Sequence, residues 1–562
     1  MELSKLPSEA VRSEVIVKYN GDLSNLEEEG VSVVTLYGGY AILEAPVAML
    51  REIAALPQIE YLEVPKRLYF SVNQGKAASC IVSLQRGTAS SRQMVEAISG
   101  LTGRGIMVGI IDSGIDLSHS DFRNVDGTTR VRWLWDQTAT GGTPPEGYNM
   151  GGEYSREEID RLLAEDVRPL PGEDNERHGT PVAGIAAGNG RGSDGRFAGI
   201  ATESELIVVK LGLPNPDSFP RTSELMQAMN YVVLKAAAEG VPIAVNVSIG
   251  NNDGSHDGSA ITERFFDAVS TVGRTVIVVG SGNEGDTSGH ASGILENPIR
   301  GSDRQTKEVE LAVGTFQQAL SFSLWKNYGD RFEVSLILPS GQLIGPFSES
   351  TPVNQYKIDG AILRVLYGQP SPYRVAQEIY LEMIPTANYL VNGVYRIRLR
   401  PEKIIDGRYD LWLPGQAGRS ATTRFLQPDP EVTLTIPSTA ANVITVSAYD
   451  SQNETYASFS GRGFTRTEMI KPDLAAPGVK IISAQPGGGY AEFTGTSFAA
   501  PFVTGSAALL MEWGIIRRND PFLYGEKLKA YLIRGARQLP ITEDYPDPRL
   551  GWGVLCAAGS LE

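Results

Sequence analysis

The segment Gly495-Thr496-Ser497-Phe498-Ala499-Ala500-Pro501 places a serine between a turn-forming glycine and an apolar run, Phe502 to Met511, that reads as a buried helix. A hydroxyl at a helix N-terminus faces backbone N–H groups, which favour negative charge developing beside it. That setting suits a nucleophile whose reaction generates an oxyanion. In Val108-Gly109-Ile110-Ile111-Asp112-Ser113-Gly114 an apolar run of strand length ends in an aspartate and a glycine turn. This is the pattern of a central parallel strand with a polar group at its C-terminal edge. In His178-Gly179-Thr180-Pro181-Val182-Ala183-Gly184 a histidine opens a helix of small residues, which sets the imidazole at a mouth rather than in a core. Taken singly, Ser497 reads as a helix cap, Asp112 as a strand-end cap and His178 as a helix-start residue. Taken together, in that chain order, they are the carboxylate, imidazole and hydroxyl of a nucleophilic triad.

With Ser281-Gly282-Asn283-Glu284-Gly285 following the apolar strand Thr275 to Gly280, these motifs resemble the subtilisin-like serine peptidases, the subtilases of the S8 family. All four stretches occur in the family's order. The departure is Phe498, where the family usually carries methionine; both are large and apolar. The resemblance implies a serine endopeptidase in which Ser497 attacks a peptide carbonyl and His178 relays the proton. Asp112 then fixes the imidazole tautomer. Asn283 and the Ser497 N–H would form the oxyanion hole. Substrate would bind by strand addition along Ser248, Ile249 and Gly250, with Ser281 and Gly282 nearby and Leu211-Gly212-Leu213 opposite. Each of these small residues also fits a plain turn. His119, His256 and His290 lie in polar loops and read as solvated.

The elements that must position this site divide into four segments. Residues 1–74 read as strand, hairpin, helix and strand, an α+β unit like the inhibitory prodomains of subtilases. Its tail, Lys66 to Gly75, is expected to lie extended in the cleft, with Gln74-Gly75 as the self-cleavage point; an uncleaved linker is the alternative. Strands and helices alternate over 75–298 and again over 436–562, which implies an α/β fold with a largely parallel sheet flanked by helices. Between them, 299–435 shows short alternating strands separated by turns, an inserted β-sandwich or jelly roll. Its role is open among substrate docking, clamping the prodomain and stiffening the catalytic part. Prodomain, intact triad and inserted jelly roll together resemble the Csp subtilases of spore-forming Firmicutes. Active members of that group process the precursor of a spore cortex-lytic enzyme during germination. A catalytically silent, prodomain-plugged binding or sensing protein and a general scavenging protease are the competing readings.

Bulk properties narrow the partners. The chain has 562 residues, 50 Lys+Arg against 66 Asp+Glu, and a net charge of −16, which argues against nucleic acid. No apolar run is expected to approach the roughly 20 residues that span a bilayer, so no membrane partner is expected. Met1 to Ser13 is charged and lacks the apolar stretch of a signal peptide, which points to a cytoplasmic or spore-associated protein. Protein or peptide substrate and the chain's own prodomain are the expected partners, and no cofactor is expected. Cys80 and Cys556 read as two unpaired thiols, although one long-range bridge stays open. Many subtilases bind calcium after the catalytic histidine helix. The corresponding stretch here, Gly188 to Arg196, offers one carboxylate and two arginines, so no metal is expected there.

Overall fold

The computed structural model of the chain describes residues 12–28, 30–36, 40–63, 71–86, 100–212, 220–298, 305–351 and 353–562. Two compact units divide between Phe70 and Ser71. The first is an antiparallel sheet in the order Ser32–Leu36, Tyr40–Pro46, Arg12–Tyr19, Ile59–Glu63. Alternate residues Val15, Val17, Ala41 and Leu43 face one side and form its core with Ile53 of the short helix Leu50–Ala54. The hairpin and the flanking helix lie where their sequence patterns put them.

The second unit opens with a correction. Ser71–Ala78 is a helix, not an extended tail. Gly75 is buried so closely on Phe502 that an added Cβ would lie 2.5 Å from its ring. Lys76 Nζ donates to the Gly199 carbonyl at 3.1 Å. The Gln74–Gly75 bond therefore sits inside a packed helix, and residues 66–70 of the expected tail lie outside the described residues. Two residues on, Cys80 forms a disulfide with Cys556, which overturns the reading of two unpaired thiols. The bridge ties the start of this unit to its C-terminus, where the Ala557 N–H also donates to the Ser79 carbonyl at 2.8 Å.

The catalytic core is a nine-stranded sheet. Its order is Thr455–Tyr456, Ile444–Asp450, Thr275–Gly280, Ile243–Val247, Met107–Asp112, Glu205–Lys210, Val131–Asp136, Gly152–Ser155, with Leu474–Pro477 pairing on Ile444–Asp450. All pairings are parallel except those of the edge strands Thr455–Tyr456 and Gly152–Ser155. Both faces are covered, which is why its strands read as continuous apolar runs. In the central strand, Val108 and Ile110 pack with the helices Gly179–Ala187 and Thr496–Met511. Met107 and Ile111 pack on the other face with Thr222–Ala238 and Ile261–Val269.

Every residue of Thr496–Met511 is buried. With the turn that follows, Thr496–Ile516 is 21 residues long and apolar enough to cross a bilayer, contrary to the expectation of no such run. Its most apolar window is 89% buried inside the fold, so this is the core helix. The inserted β-sandwich begins at His290, earlier than expected, and ends at Phe425. It stacks a six-stranded sheet on a five-stranded one, all pairings antiparallel, around a separate apolar core.

Candidate active site

Asp112 ends the central strand and His178 caps the helix Gly179–Ala187, and tertiary packing brings the two together. His178 Nδ1 donates to Asp112 Oδ1 at 2.7 Å, which leaves Nε2 as the acceptor. The Ser113 N–H also donates to Asp112 Oδ1, at 2.8 Å. Asp174, which sequence reasoning missed, completes the support: it accepts from the His178 N–H at 3.2 Å and the Thr180 N–H at 2.8 Å. An acidic residue four positions ahead of a helix-opening histidine is the signal that would have found it. Burial pulls the His178 pKa down, but the charge of Asp112, its hydrogen bond and the charge of Asp174 outweigh that and leave it raised above 6.5.

Ser497 stands in the first turn of its helix, 8% exposed. Gly495 ahead of it adopts φ +152°, a conformation L side chains rarely reach, and this lets the chain turn sharply into the helix. The Ser497 hydroxyl donates to the Ser248 carbonyl at 3.3 Å, and no hydrogen bond links it to His178 among the described residues. Rotation about one side-chain bond redirects the hydroxyl, and such contacts commonly tighten only when substrate is bound. The imidazole is held close by Phe498, the family departure, whose ring lies 5.5 Å from that of His178. Asn283 Oδ1 accepts from the Thr496 N–H and the Thr496 hydroxyl, each at 3.0 Å. Its Nδ2 remains a donor on a residue that lines the same cavity as Ser497, whose N–H is a first-turn donor that the helix leaves unsatisfied.

A cavity of about 160 Å³ adjoins the nucleophile, lined by Ser248, Ile249, Gly250, Gly282, Asn283 and Ser497 together with Gly280, Glu284, Thr435 and Thr496. Ser281 does not line it. That residue is fully buried: its N–H donates to Val446 and its carbonyl accepts from Thr435. The Gly212 N–H donates to Gln137 Oε1 at 3.2 Å, and Leu213 lies outside the described residues. Thr435, in the segment returning from the insert beside the Asn251–Ile436 bridge, also lines the cavity. An added Cβ on Gly282, at φ +90°, would lie 2.4 Å from its methyl. Glu284 at the rim is engaged by the Thr287 hydroxyl at 2.7 Å and by Arg419 of the insert at 3.5 Å. Nothing in the composition of either segment announces Thr435 or Arg419, because both reach the site only through the fold.

The remaining histidines are buried, not solvated. His119, His256 and His290 are at most 4% exposed. His256 and His290 both stack on Trp412 of the insert, at 4.1 and 4.8 Å. A larger cavity, about 470 Å³, lies elsewhere, lined by Arg104, Arg130, Arg156 and Arg191 with Glu203 and Glu205. Its four arginines outnumber its two carboxylates, yet each is engaged within the fold. Arg104 pairs with Glu203, Arg156 with Glu205, and Arg130 donates to the Asp121, Ala187 and Ser204 carbonyls. The loop after the histidine helix does not fit a hard cation. Arg191 holds the Arg123 carbonyl, and Asp121 Oδ1 accepts from the Gly192 N–H and the Tyr490 hydroxyl.

Residues 103–364 and 424–553 match the subtilase family, and residues 3–66 match the Csp protease B prodomain. The structure of the Clostridium perfringens CspB protease is similar at 34% identity and a TM-score of 0.77, covering 87% of this chain and 96% of that one. A PIII-type proteinase of Lactococcus lactis subsp. cremoris is 26% identical over 473 residues, 76% of this chain and 23% of the relative. The minor extracellular protease Vpr of Bacillus subtilis is 24% identical over 475 residues, 81% of this chain and 51% of the relative. The chain thus spans about a quarter of the length of the lactococcal relative and about half that of Vpr.

Proposed function

The chain belongs to the subtilase family of serine peptidases and to its Csp-type branch, and from that premise we propose that it is a serine endopeptidase whose prodomain restrains it. One observation carries the reading: the Asp112 carboxylate fixes His178 through Nδ1 at 2.7 Å, and Ser497, in the first turn of its helix, shares a cavity with Asn283. In the reaction, Ser497 attacks the carbonyl of a peptide laid along Ser248 to Gly250, with a side chain in the 160 Å³ cavity. His178 takes the hydroxyl proton at Nε2 and returns it to the leaving amine, while Asp112 stabilises the imidazolium. Asn283 Nδ2 and the Ser497 N–H hold the oxyanion. A hydrolytic water then repeats the proton transfers in reverse.

The substrate we propose is a protein precursor cut at few sites, such as the zymogen of a spore cortex-lytic enzyme, in line with the likeness to Csp proteases. A spore-associated location accords with the same likeness. We place self-cleavage on the N-terminal side of the helix Ser71–Ala78, within residues 64–70, because Gln74–Gly75 is helical. A second reading, a silent binding protein of the same fold, draws on the turning of the Ser497 hydroxyl towards Ser248. Fluorophosphonate labelling tests both. The wild-type chain is expected to label at Ser497 and to yield two polypeptides with a new N-terminus between positions 65 and 71. Ser497→Ala is expected to give one unlabelled full-length chain. A wild type that neither labels nor cuts itself refutes the enzyme and leaves the binder.

A further inference from the structure

Pro501 lies inside the nucleophile's helix, one turn beyond Ser497. A proline has no N–H, so the Ser497 carbonyl four residues back receives no helical hydrogen bond. The Ser248 hydroxyl takes that place, donating to the Ser497 carbonyl at 3.1 Å. The same hydroxyl accepts from Asn246 Nδ2 at 2.9 Å, and Asn246 Oδ1 accepts from the Thr504 hydroxyl at 2.9 Å. Thr504 is seven residues beyond Ser497, two turns along the same helix face. Asn246 and Thr504 are fully buried.

A carbonyl accepts and cannot donate, so the Ser497 carbonyl takes the single proton of Ser248, and Asn246 presents its NH2 to Ser248. The Asn246 carbonyl then faces the Thr504 hydroxyl, whose one proton it shares with the Ala500 carbonyl at 3.2 Å. Ser248 also touches the nucleophile a second time, since its carbonyl accepts the Ser497 hydroxyl at 3.3 Å. The wall of the substrate cavity and the nucleophile are thereby clasped to each other at two points.

We infer that Asn246 and Thr504 are positioning residues that hold the substrate-binding wall and the Ser497 hydroxyl in one register. Neither touches the reacting atoms; both act through Ser248. Sub-ångström registry matters because a misplacement of about 1 Å costs on the order of 100-fold in rate. The inference rests on the endopeptidase reading.

The test is fluorophosphonate labelling of the full chain, separating the maximal labelling rate from the half-saturating probe concentration, with melting temperature recorded alongside. Thr504→Val keeps the shape and removes the proton; its maximal rate is expected to fall about tenfold with half-saturation unchanged. Thr504→Ser restores the hydroxyl and is expected to restore the rate. Asn246→Asp draws the Ser248 proton to its own carboxylate and is expected to fall further; should it fail to fold, the Thr504 pair decides. A purely structural role would lower the melting temperature and leave the maximal rate of the folded protein intact. That result, or Thr504→Ser labelling as slowly as Thr504→Val, overturns the inference. A wild type that neither labels nor cuts itself removes the endopeptidase reading itself, a different failure.

Discussion

Replacing Asn283 separates the two jobs its amide performs. The oxygen accepts two bonds from Thr496, which orient the side chain, and the nitrogen is left to face the cavity. Asn283→Ala removes both. The lost oxyanion donor is expected to slow labelling and turnover by roughly 10²–10³, about 3–4 kcal/mol of transition-state stabilisation. The Thr496 donors lose their partner too, so the melting temperature falls as well. Asn283→Asp keeps the shape and both Thr496 bonds, and its melting temperature is expected to match the wild type. It nonetheless sets a second negative oxygen where the donor was. Two like charges about 4 Å apart repel by about 1 kcal/mol in water and about 4 kcal/mol at a protein surface. The aspartate variant is therefore expected to be the better folded and the slower of the two. Initial rates of self-cleavage and maximal fluorophosphonate labelling rates measure this directly. An Asn283→Asp chain within tenfold of wild type would refute the assignment of the amide to the oxyanion.

Three further outcomes follow from the same coordinates. His178 must be neutral to act as a base, so labelling should rise with pH through an apparent pKa above 6.5, and Asp112→Asn should move that inflection down and cost about 10⁴ in rate; an inflection at or below 6.5 in the wild type contradicts the geometry. Burial pushes Glu263 up to about 7 against the hydrogen bonds from Thr439 and Ala260, so the folded chain holds a proton that the unfolded chain has released. Stability should then drop as pH rises from about 4.5 to 7, with about 3 kcal/mol from this group, and Glu263→Gln should flatten the fall of melting temperature with pH by that share. Cys80→Ser should cost about 2–4 kcal/mol, and reductant should lower the melting temperature of the wild type but not of the variant.

The order Asp112, His178, Ser497, the strand ahead of Asn283 and the alternation of strands with helices are legible in the sequence alone. Each is a local pattern: an apolar run that stops at a polar residue, or small residues opening a helix. A doubly covered parallel sheet leaves that imprint because its strands must be apolar on both faces and its polar groups can stand only at the strand ends. The prodomain hairpin and most strands of the insert were visible for the same reason, through period-two alternation. What depended on distance along the chain was not visible. Cys80 and Cys556 are 476 residues apart, and two cysteines carry no spacing to interpret. The polar loops around His256 and His290 carry no local sign of burial, which comes from stacking on Trp412 of the insert. Ser281 shared a motif with Asn283, yet its neighbours Val446 and Thr435 turned it into the scaffold. Local order in the chain determined which side chains stand at the sheet's rim. Only packing among remote segments decided what each of them touches, because hydrogen-bond partners and burial are properties of neighbours in space rather than in sequence.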